Sequence, residues 1–453
     1  MKNYPCDTAV IGAGIVGIAT AYYLKKIDPA RQVVLIDAGQ PMELTSAQSG
    51  ENYRNWWPHP VMTAFTDRSI DLMEEIATQT GNLINMKRRG YVLATRAENI
   101  DGLMDELQTG YAGLDSNVIR VHNNTVSRSY QRPHSAAWST APTGVDVLQN
   151  QQLIQTIFPS FDPAVQAVIH VRRAGDISAQ QMGQVMLASF KEAGGVRVTG
   201  KVRSIDCHNG FTSQLDVRQT VQSQQIVNAA GPFINNIASM LGTRLPVSNT
   251  LQQKIAFEDT ASAIPRDMPF SIDLDNQFID WNTDEKALLD DDPAVAWLTR
   301  EMPGSIHCRP DGGDQGRWIK LGWAFNNDTQ EPVLNPVFSE NFPEIVLRGA
   351  ARLNPALKCY YDHMPRQLHH YGGYYTLTNE NWPLIGEMAV AGSFVVGAMS
   401  GFGTMAACAA GELCALSVTG GALPDYAPML SPVRYKNKAL MEELKILSGR
   451  GIL

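Results

Sequence analysis

Short apolar runs alternate with amphipathic stretches along this chain, and the alternation predicts an α/β protein. A run from Thr8 to Ile11 meets Gly12-Ala13-Gly14-Ile15-Val16-Gly17; a helix-like segment follows, and a second run, Val33 to Ile36, ends in Asp37. Met62, Phe65, Leu72, Met73 and Ile76 recur at the spacing of one helix face, which predicts a core-packing helix over 61–80. LINMKRRGYVLAT at 83–95 predicts a strand pair bent at Gly90, whereas 101–165 shows only weak helical and loop character. Beyond Gly175 a helix with Met182, Val185, Met186 and Phe190 on one face precedes the short strands VRV, VRSID and QLDVR. A strand–turn–helix pattern then returns in QIVNAAGPFINNIASMLG, 225–242. Gly304 to Gly322 reads as a hairpin, SIHCR and RWIKLG about a DGGDQG turn. Met388 to Leu423 is apolar, but Glu412 and the glycines at 401, 403 and 411 mark it as a buried strand, loop and helix instead of a membrane span.

The first of these patterns has a chemistry. Strand, glycine turn, helix, strand and terminal acid form the arrangement of a dinucleotide site. Gly12 permits the tight turn, Gly14 lets the backbone approach a pyrophosphate, and Gly17 lets helix and strand pack closely. The helix N-terminus then offers unpaired N–H groups to phosphate, and Asp37 can accept the ribose hydroxyls. Because the strand–turn–helix pattern returns at 225–242, a Rossmann-like domain is expected from three separated stretches, 1–82, 165–242 and 371–453. The stretches between, 83–164 and 243–370, are expected to form a second α+β domain on an antiparallel sheet, since their segments are short and turn-separated.

Composition narrows the partners. The 453 residues carry a net charge of -8, which argues against a nucleic-acid surface. Six cysteines, at 6, 207, 308, 359, 408 and 414, form no CxxC pattern, as expected of reduced thiols in a cytoplasm. The N-terminus runs almost directly into the first strand, so no secretory or transit peptide is expected. Asp290, Asp291 and Asp292 read as a solvated surface. The stretch TSAQSGENYRNWWPHP, 45–60, lies where a nucleotide fold lines the cofactor, and Trp56 and Trp57 carry too much apolar area to be fully exposed.

Three further stretches carry a family resemblance. NAAG at 228–231, TNENWPLIG at 378–386 and GAMSGFGTMAACAAGE at 397–412 match, in order and spacing, segments of FAD-dependent oxidoreductases of the D-amino-acid oxidase, glycine oxidase and sarcosine oxidase family. The chain resembles that family over nearly its whole length. The resemblance implies extended FAD with its flavin ring between the two domains. It places Gly12, Gly14, Ile15, Val16 and Gly17 at the pyrophosphate and Asp37 with Ala38 at the adenosine ribose. Val202 falls at adenine, Ser46, Gln48 and Ser49 along the phosphate and flavin, Ala230 and Gly231 in the strand-to-glycine segment, and Gly401, Gly403, Thr404 and Met405 at the flavin pyrimidine. Backbone N–H groups there can stabilise negative charge on reduced flavin.

Departures from the family sharpen the reading. The arginine that clamps a substrate carboxylate in D-amino-acid and glycine oxidases is replaced by Tyr375, and the corresponding lysine of sarcosine oxidases by Met405. The cysteine that bonds flavin in those sarcosine enzymes is replaced by Gly372, so dissociable FAD is expected. Lys320, in WIKLGW, matches a lysine that activates oxygen; as a residue on an alternating strand it could equally face water. Arg54 is the best substitute carboxylate anchor if the substrate is an amino acid, the other reading being a phosphate or structural ion pair. Trp56, Trp57, Tyr371, Tyr374 and Tyr375 are expected to wall an aromatic pocket, and His59, His307, His369 and His370 lie near site-forming segments without an assigned role. The expected reaction is oxidation of a secondary or N-methyl amine, with hydride passing to flavin, the imine hydrolysed and oxygen reduced to hydrogen peroxide. A dehydrogenase serving a quinone or protein acceptor and a non-catalytic assembly factor are the alternatives. A 2-hydroxy-acid dehydrogenase is disfavoured by the missing clamp, and NAD by the three downstream segments.

Overall fold

The computed structural model describes residues 2–114, 116–133, 138–313 and 315–447. Asp314 of the predicted hairpin turn, Met1 and residues 448–453 of the expected nucleotide domain lie outside the described residues. Two large sheets organise the rest. In the eight-stranded sheet, Lys2–Ile11 runs parallel between Gln219–Asn228 and Val33–Asp37, with Val196–Thr199 beyond. Val202–Asp206 and Phe211–Leu215 extend it antiparallel, while Ser393–Gly397 and Leu384–Glu387 continue from the far end of Gln219–Asn228. Its central strands are covered on both faces, which is why they read as unbroken apolar runs: Ala9, Val10 and Val33 to Ile36 are all buried.

Helices Ile15–Ile27 and Gly403–Thr419 cover one face together. They pack so closely at Gly411 that a methyl group there would lie 2.6 Å from the carbonyl carbon of Ala19. The helix expected over 61–80 spans Pro60–Gln79, its Met62, Phe65, Leu72, Met73 and Ile76 buried in the same core. Met388 to Leu423 resolves into the strand Ser393–Gly397, a loop and the helix Gly403–Thr419; among the described residues no helix is long and apolar enough to cross a membrane.

The second sheet has nine strands in the spatial order Leu368–Thr378, Val247–Glu258, Trp318–Gly322, Ile306–Asp311, Phe270–Asp273, Tyr91–Thr95, Ala167–Val171, Val145–Leu148 and Ile119–His122. It is largely antiparallel, with parallel pairs at Phe270–Asp273 beside Tyr91–Thr95 and at Ile119–His122 beside Val145–Leu148. One face, with Ile255, Phe257, Ile319 and Leu321, packs against helix Phe342–Leu353. Alternation along each strand sends Lys254, Lys320 and Arg309 to the other face, toward the first sheet.

The structure corrects two expectations. Residues 83–95 form one strand, Tyr91–Thr95, because Asn82 and Asn85 take positive φ and turn the chain, leaving Lys87 to make a single bridge to Asp176. The division by sheet also differs from the expected domain limits: Ala167–Val171 and Leu368–Thr378 pair within the second sheet, where their neighbours in space, not in sequence, supply the ladder. The weakly patterned stretch 101–165 contains helices Asp101–Gly110 and Gln151–Ile157 and two of the second sheet's strands. The acidic residues Asp290, Asp291 and Asp292 form the end of a helix, Thr283–Asp291, and its C-cap; the start of that helix is closed by a reciprocal Asn282–Glu285 cap.

One buried ion pair holds the 378–386 segment to the C-terminal region. Arg434, fully buried, donates its Nε to Glu380 Oε1 at 2.9 Å, and Tyr435 donates to the same oxygen at 2.7 Å. Removing one partner leaves the other charge desolvated. Arg434→Met is therefore expected to lower stability by about 3–5 kcal/mol, read as a lower urea midpoint in circular dichroism; an unchanged midpoint would show that the pair is dispensable.

Candidate functional site

The glycine turn is shaped by contacts that exclude side chains. Gly12 has φ +110°, and a methyl group on it would lie 2.3 Å from the carbonyl oxygen of Ala229; one on Gly17 would lie 1.9 Å from the carbonyl oxygen of Gly12. The turn thus threads between the 228–231 segment and helix Ile15–Ile27, with Ala230 and Gly231 behind it. Gly14 leaves room for Ser46, whose hydroxyl accepts the Ile15 N–H at 3.0 Å, while Val16 is half-buried beside it. Asp37 ends its strand with Oδ2 accepting the Ala13 N–H at 2.5 Å and Oδ1 accepting the Gly39 N–H at 2.8 Å. Ala38 follows at the surface. The Gly200 N–H donates to Asp37 O at 2.8 Å, which brings the start of Val202–Asp206 to the same end of the sheet.

From Ser46 the chain runs along a short 3-10 turn to Gln48 and Ser49. Ser49 Oγ lies 2.8 Å from Thr404 Oγ1, joining this loop to the N-terminal turn of helix Gly403–Thr419. Gly401 precedes that helix, and its missing side chain is replaced by the Tyr375 ring, 2.6 Å from where a Cβ would stand. Met405 is buried in the core, so only its backbone can serve a ligand. The cradle residues Gly12, Gly14, Val16, Asp37, Ser46, Gln48, Ser49, Gly401 and Gly403 are only half-buried although they line a cleft between packed layers. A groove of glycines and hydroxyls ending at two helix N-termini fits a dinucleotide cofactor, whose phosphates need close backbone approach and donor N–H groups.

The polar face of the second sheet closes this groove. On Leu368–Thr378, Tyr371, Gly373 and Tyr375 share the face toward the cradle, where Gly373 packs on Thr45 and Gln48. Tyr374 takes the opposite face, and its hydroxyl accepts the Val333 N–H at 3.1 Å, so it does not join the expected pocket wall. Lys320 Nζ lies 2.9 Å from Glu51 and 3.3 Å from Asp311; Arg309 reaches the same two carboxylates, at 3.4 and 3.1 Å. Lys254, buried, places its ammonium 5.5 Å from the centroid of the Tyr375 ring. His307 faces Lys254 across Gly322; burial first, then the Lys254 charge, lowers its pKa to about 3, so it is a neutral imidazole at ordinary pH.

Arg54 is buried on the short strand Asn52–Arg54, its guanidinium carbon 4.7 Å from the Trp57 ring and 4.9 Å from Tyr91. Burial lowers its pKa, yet it stays charged. Trp56 packs in the core against Gly110, and Trp57 stands edge-on to Phe402 at 4.8 Å; both support Arg54 from behind. Of the four histidines, His59 caps helix Pro60–Gln79, His369 contacts Trp318 and His370 bonds Gln253. The sequence reading passed over Lys254, Glu51, Arg309 and Tyr91. Alternation in QQKIAFE, with Ile255 and Phe257 on the core side, carried the one signal that could have found Lys254.

Comparison with known proteins gives a consistent picture. The family model "DAO: FAD dependent oxidoreductase" matches residues 7–416. Human mitochondrial dimethylglycine dehydrogenase is 20% identical over 279 residues, covering 60% of this chain and 29% of that protein. The uncharacterized oxidoreductase YurR of Bacillus subtilis is 23% identical over 269 residues, covering 57% of this chain and 63% of that one. The chain therefore spans less than two thirds of either relative. L-proline dehydrogenase from P. horikoshii superposes with a TM-score of 0.72 at 18% identity, covering 96% of this chain and 98% of that one. Glycine oxidase from Geobacillus kaustophilus gives 0.68 at 16% identity, covering 94% and 98%. These likenesses show the fold.

The contact at Gly17 yields a direct test of the cradle. In Gly17→Val the new side chain meets the Gly12 carbonyl and displaces the turn, so the purified variant is expected to lose at least 90% of its bound cofactor, about the effect of 1.4 kcal/mol or more. The ratio of cofactor to protein absorbance measures it, and full retention in a folded variant would place the cofactor elsewhere.

Proposed function

The chain belongs to the DAO family of FAD-dependent oxidoreductases, and from that premise we propose that it oxidises the C–N bond of a secondary or N-methyl amine. The observation that carries this reading is the closure of a glycine-lined cradle by a sheet face bearing Lys254, Lys320, Arg309, Tyr371 and Tyr375. Gly12, Gly14, Ile15, Val16 and Gly17 would hold the pyrophosphate, Asp37 the ribose, and Ser46, Gln48, Ser49 and the 401–405 turn the flavin end. When bound, FAD supplies the acceptor for a hydride from the carbon beside nitrogen.

The protein's own residues position and exclude. Tyr375 over Gly401 and the buried Trp57–Arg54–Tyr91 stack wall the groove, keeping bulk water from the reacting carbon. A neutral amine loses hydride and a proton to become an imine, and water adds to give an amine and a carbonyl compound. His307, neutral and desolvated, and the paired carboxylates Glu51 and Asp311 are not placed as strong bases, so the amine enters already deprotonated. The named relatives support the class: dimethylglycine, proline and glycine are all amines, and two of them are N-substituted. Gly372 supplies no thiol, which supports dissociable cofactor.

Oxygen as the terminal acceptor is the first reading, through the position of Lys320. One observation favours a second. Lys320 is engaged by both Glu51 and Asp311, which offset the positive charge that would stabilise reduced oxygen and thereby favour a different electron acceptor. Anaerobic mixing with paired secondary and primary amines tests the substrate class, and admitting air to the reduced enzyme then separates the acceptors. Secondary or N-methyl amines are expected to bleach the flavin at least tenfold faster than their primary counterparts, a margin of about 1.4 kcal/mol; no bleaching by any amine would remove the proposal.

A further inference from the structure

Lys254 is an anomaly in the second sheet. It is 7% exposed, yet among the described residues no carboxylate or hydrogen-bond acceptor meets its ammonium, which lies over the face of Tyr375. A buried cation without a partner is costly, and such groups are found where a ligand supplies the counter-charge. The carboxylates nearest on this face are already engaged, Glu51 and Asp311 with Lys320 and Arg309, and Asp176 with Arg309 at 3.9 Å.

A second orphan stands beside it. Lys254 and Tyr371 are direct partners across the Val247–Glu258 and Leu368–Thr378 ladder, so their side chains rise from the same face. The Tyr371 hydroxyl is buried and among the described residues has no hydrogen-bond partner. The neighbours hold the Lys254 side chain in place: the His307 ring fills the place of a side chain on Gly322, opposite Lys254, and Gly50, where an added Cβ would lie 4.0 Å from Lys254 Cε, belongs to the loop that leaves the cradle. Tyr375, whose ring Lys254 faces, lies on Gly401 at the start of the second cradle helix.

We infer that Lys254 and Tyr371 together hold an anionic group of the substrate, a carboxylate, against the Tyr375 face. This rests on the amine-oxidation reading and deepens it: the substrate becomes an N-substituted amino acid, held by residues on the sheet and not at the two positions where the family places its clamp. An ammonium and a phenol converging from adjacent strands offer charge-assisted hydrogen bonds to the two oxygens of one carboxylate. Lys254 contributes binding and orientation; the paired Lys320 is left for other duties.

The test is binding to the oxidised, FAD-loaded enzyme, without turnover. Propionate and its neutral analogue propionamide are titrated while the visible flavin spectrum and the heat of binding are followed. Propionate is expected to bind at least tenfold more tightly than propionamide, because a charge-assisted bond adds about 1.4 kcal/mol or more. Lys254→Met is expected to remove that preference, Lys254→Arg to retain most of it, and Tyr371→Phe to weaken it several-fold. If Lys254→Met fails to fold, the Arg and Phe variants carry the same test. Equal affinity for propionate and propionamide in the native enzyme overturns the inference. So does undiminished propionate binding in folded Lys254→Met, including the case in which that variant slows only the reaction of reduced enzyme with oxygen. Preferential propionate binding that depends on Lys254, in an enzyme no amine reduces, would uphold this anion site while removing the proposed reaction.

Discussion

The backbone of the Ile11–Gly17 turn passes between two neighbours with no space for a side chain, and the rest of the site follows from that passage. The Ala229 carbonyl on one side and the Gly12–Gly17 contact on the other fix where helix Ile15–Ile27 begins. That helix then fixes Gly403–Thr419 through the close approach at Gly411. Two helix N-termini consequently open onto one groove, and Ser46 and the Ser49–Thr404 contact set its length. Close packing of glycine against backbone is rigid and tolerates little shift, so the groove is preformed.

Against this cradle the second sheet presents charge. A sheet face that packed on another domain without a ligand would be expected to be apolar, as its opposite face is against helix Phe342–Leu353. Here the inward face carries Lys254, Arg309, Lys320 and two tyrosines, compensated in part by Glu51 and Asp311. Glu51 takes φ +62° to reach that position, a conformation that costs a non-glycine residue on the order of 1 kcal/mol. The arrangement is intelligible as a binding surface: pairing offsets most of the charge, and among the described residues Lys254 is left without a carboxylate partner, its ammonium against the Tyr375 ring.

The sequence made the cradle legible and the opposing face largely not, for physical reasons. Gly12, Gly14, Gly17 and Asp37 stand at spacings that one local motif enforces, and the NAAG segment does supply the neighbour of Gly12, but through Ala229 and Ala230, whereas Gly231 has open space where a side chain would stand. Lys254 sits on a strand whose neighbours are far away in sequence; only the order of strands shows that its outer face is a covered one. Tyr374 and Tyr375 lie together in one site-forming segment, GGYYT, which offers tyrosines to both faces of its strand, and alternation without an anchored register cannot choose between them. Lys320 was placed on the correct strand, but its pairing with Glu51 joins residues 269 apart and has no local signature. The strand pair expected at 83–95 gave way to turns at Asn82 and Asn85, whose positive φ is tolerated by asparagine and invisible to hydrophobic periodicity.

The central claim is that this groove holds a dissociable FAD between the glycine turn and the charged face. The visible spectrum of the purified protein, before and after acid precipitation, tests it most directly. The account predicts oxidised-flavin absorbance bands in the native protein and their complete release to the supernatant on precipitation, with the dinucleotide FAD as the released form. A colourless protein that takes up no added FAD, or colour that remains with the precipitate, would contradict it.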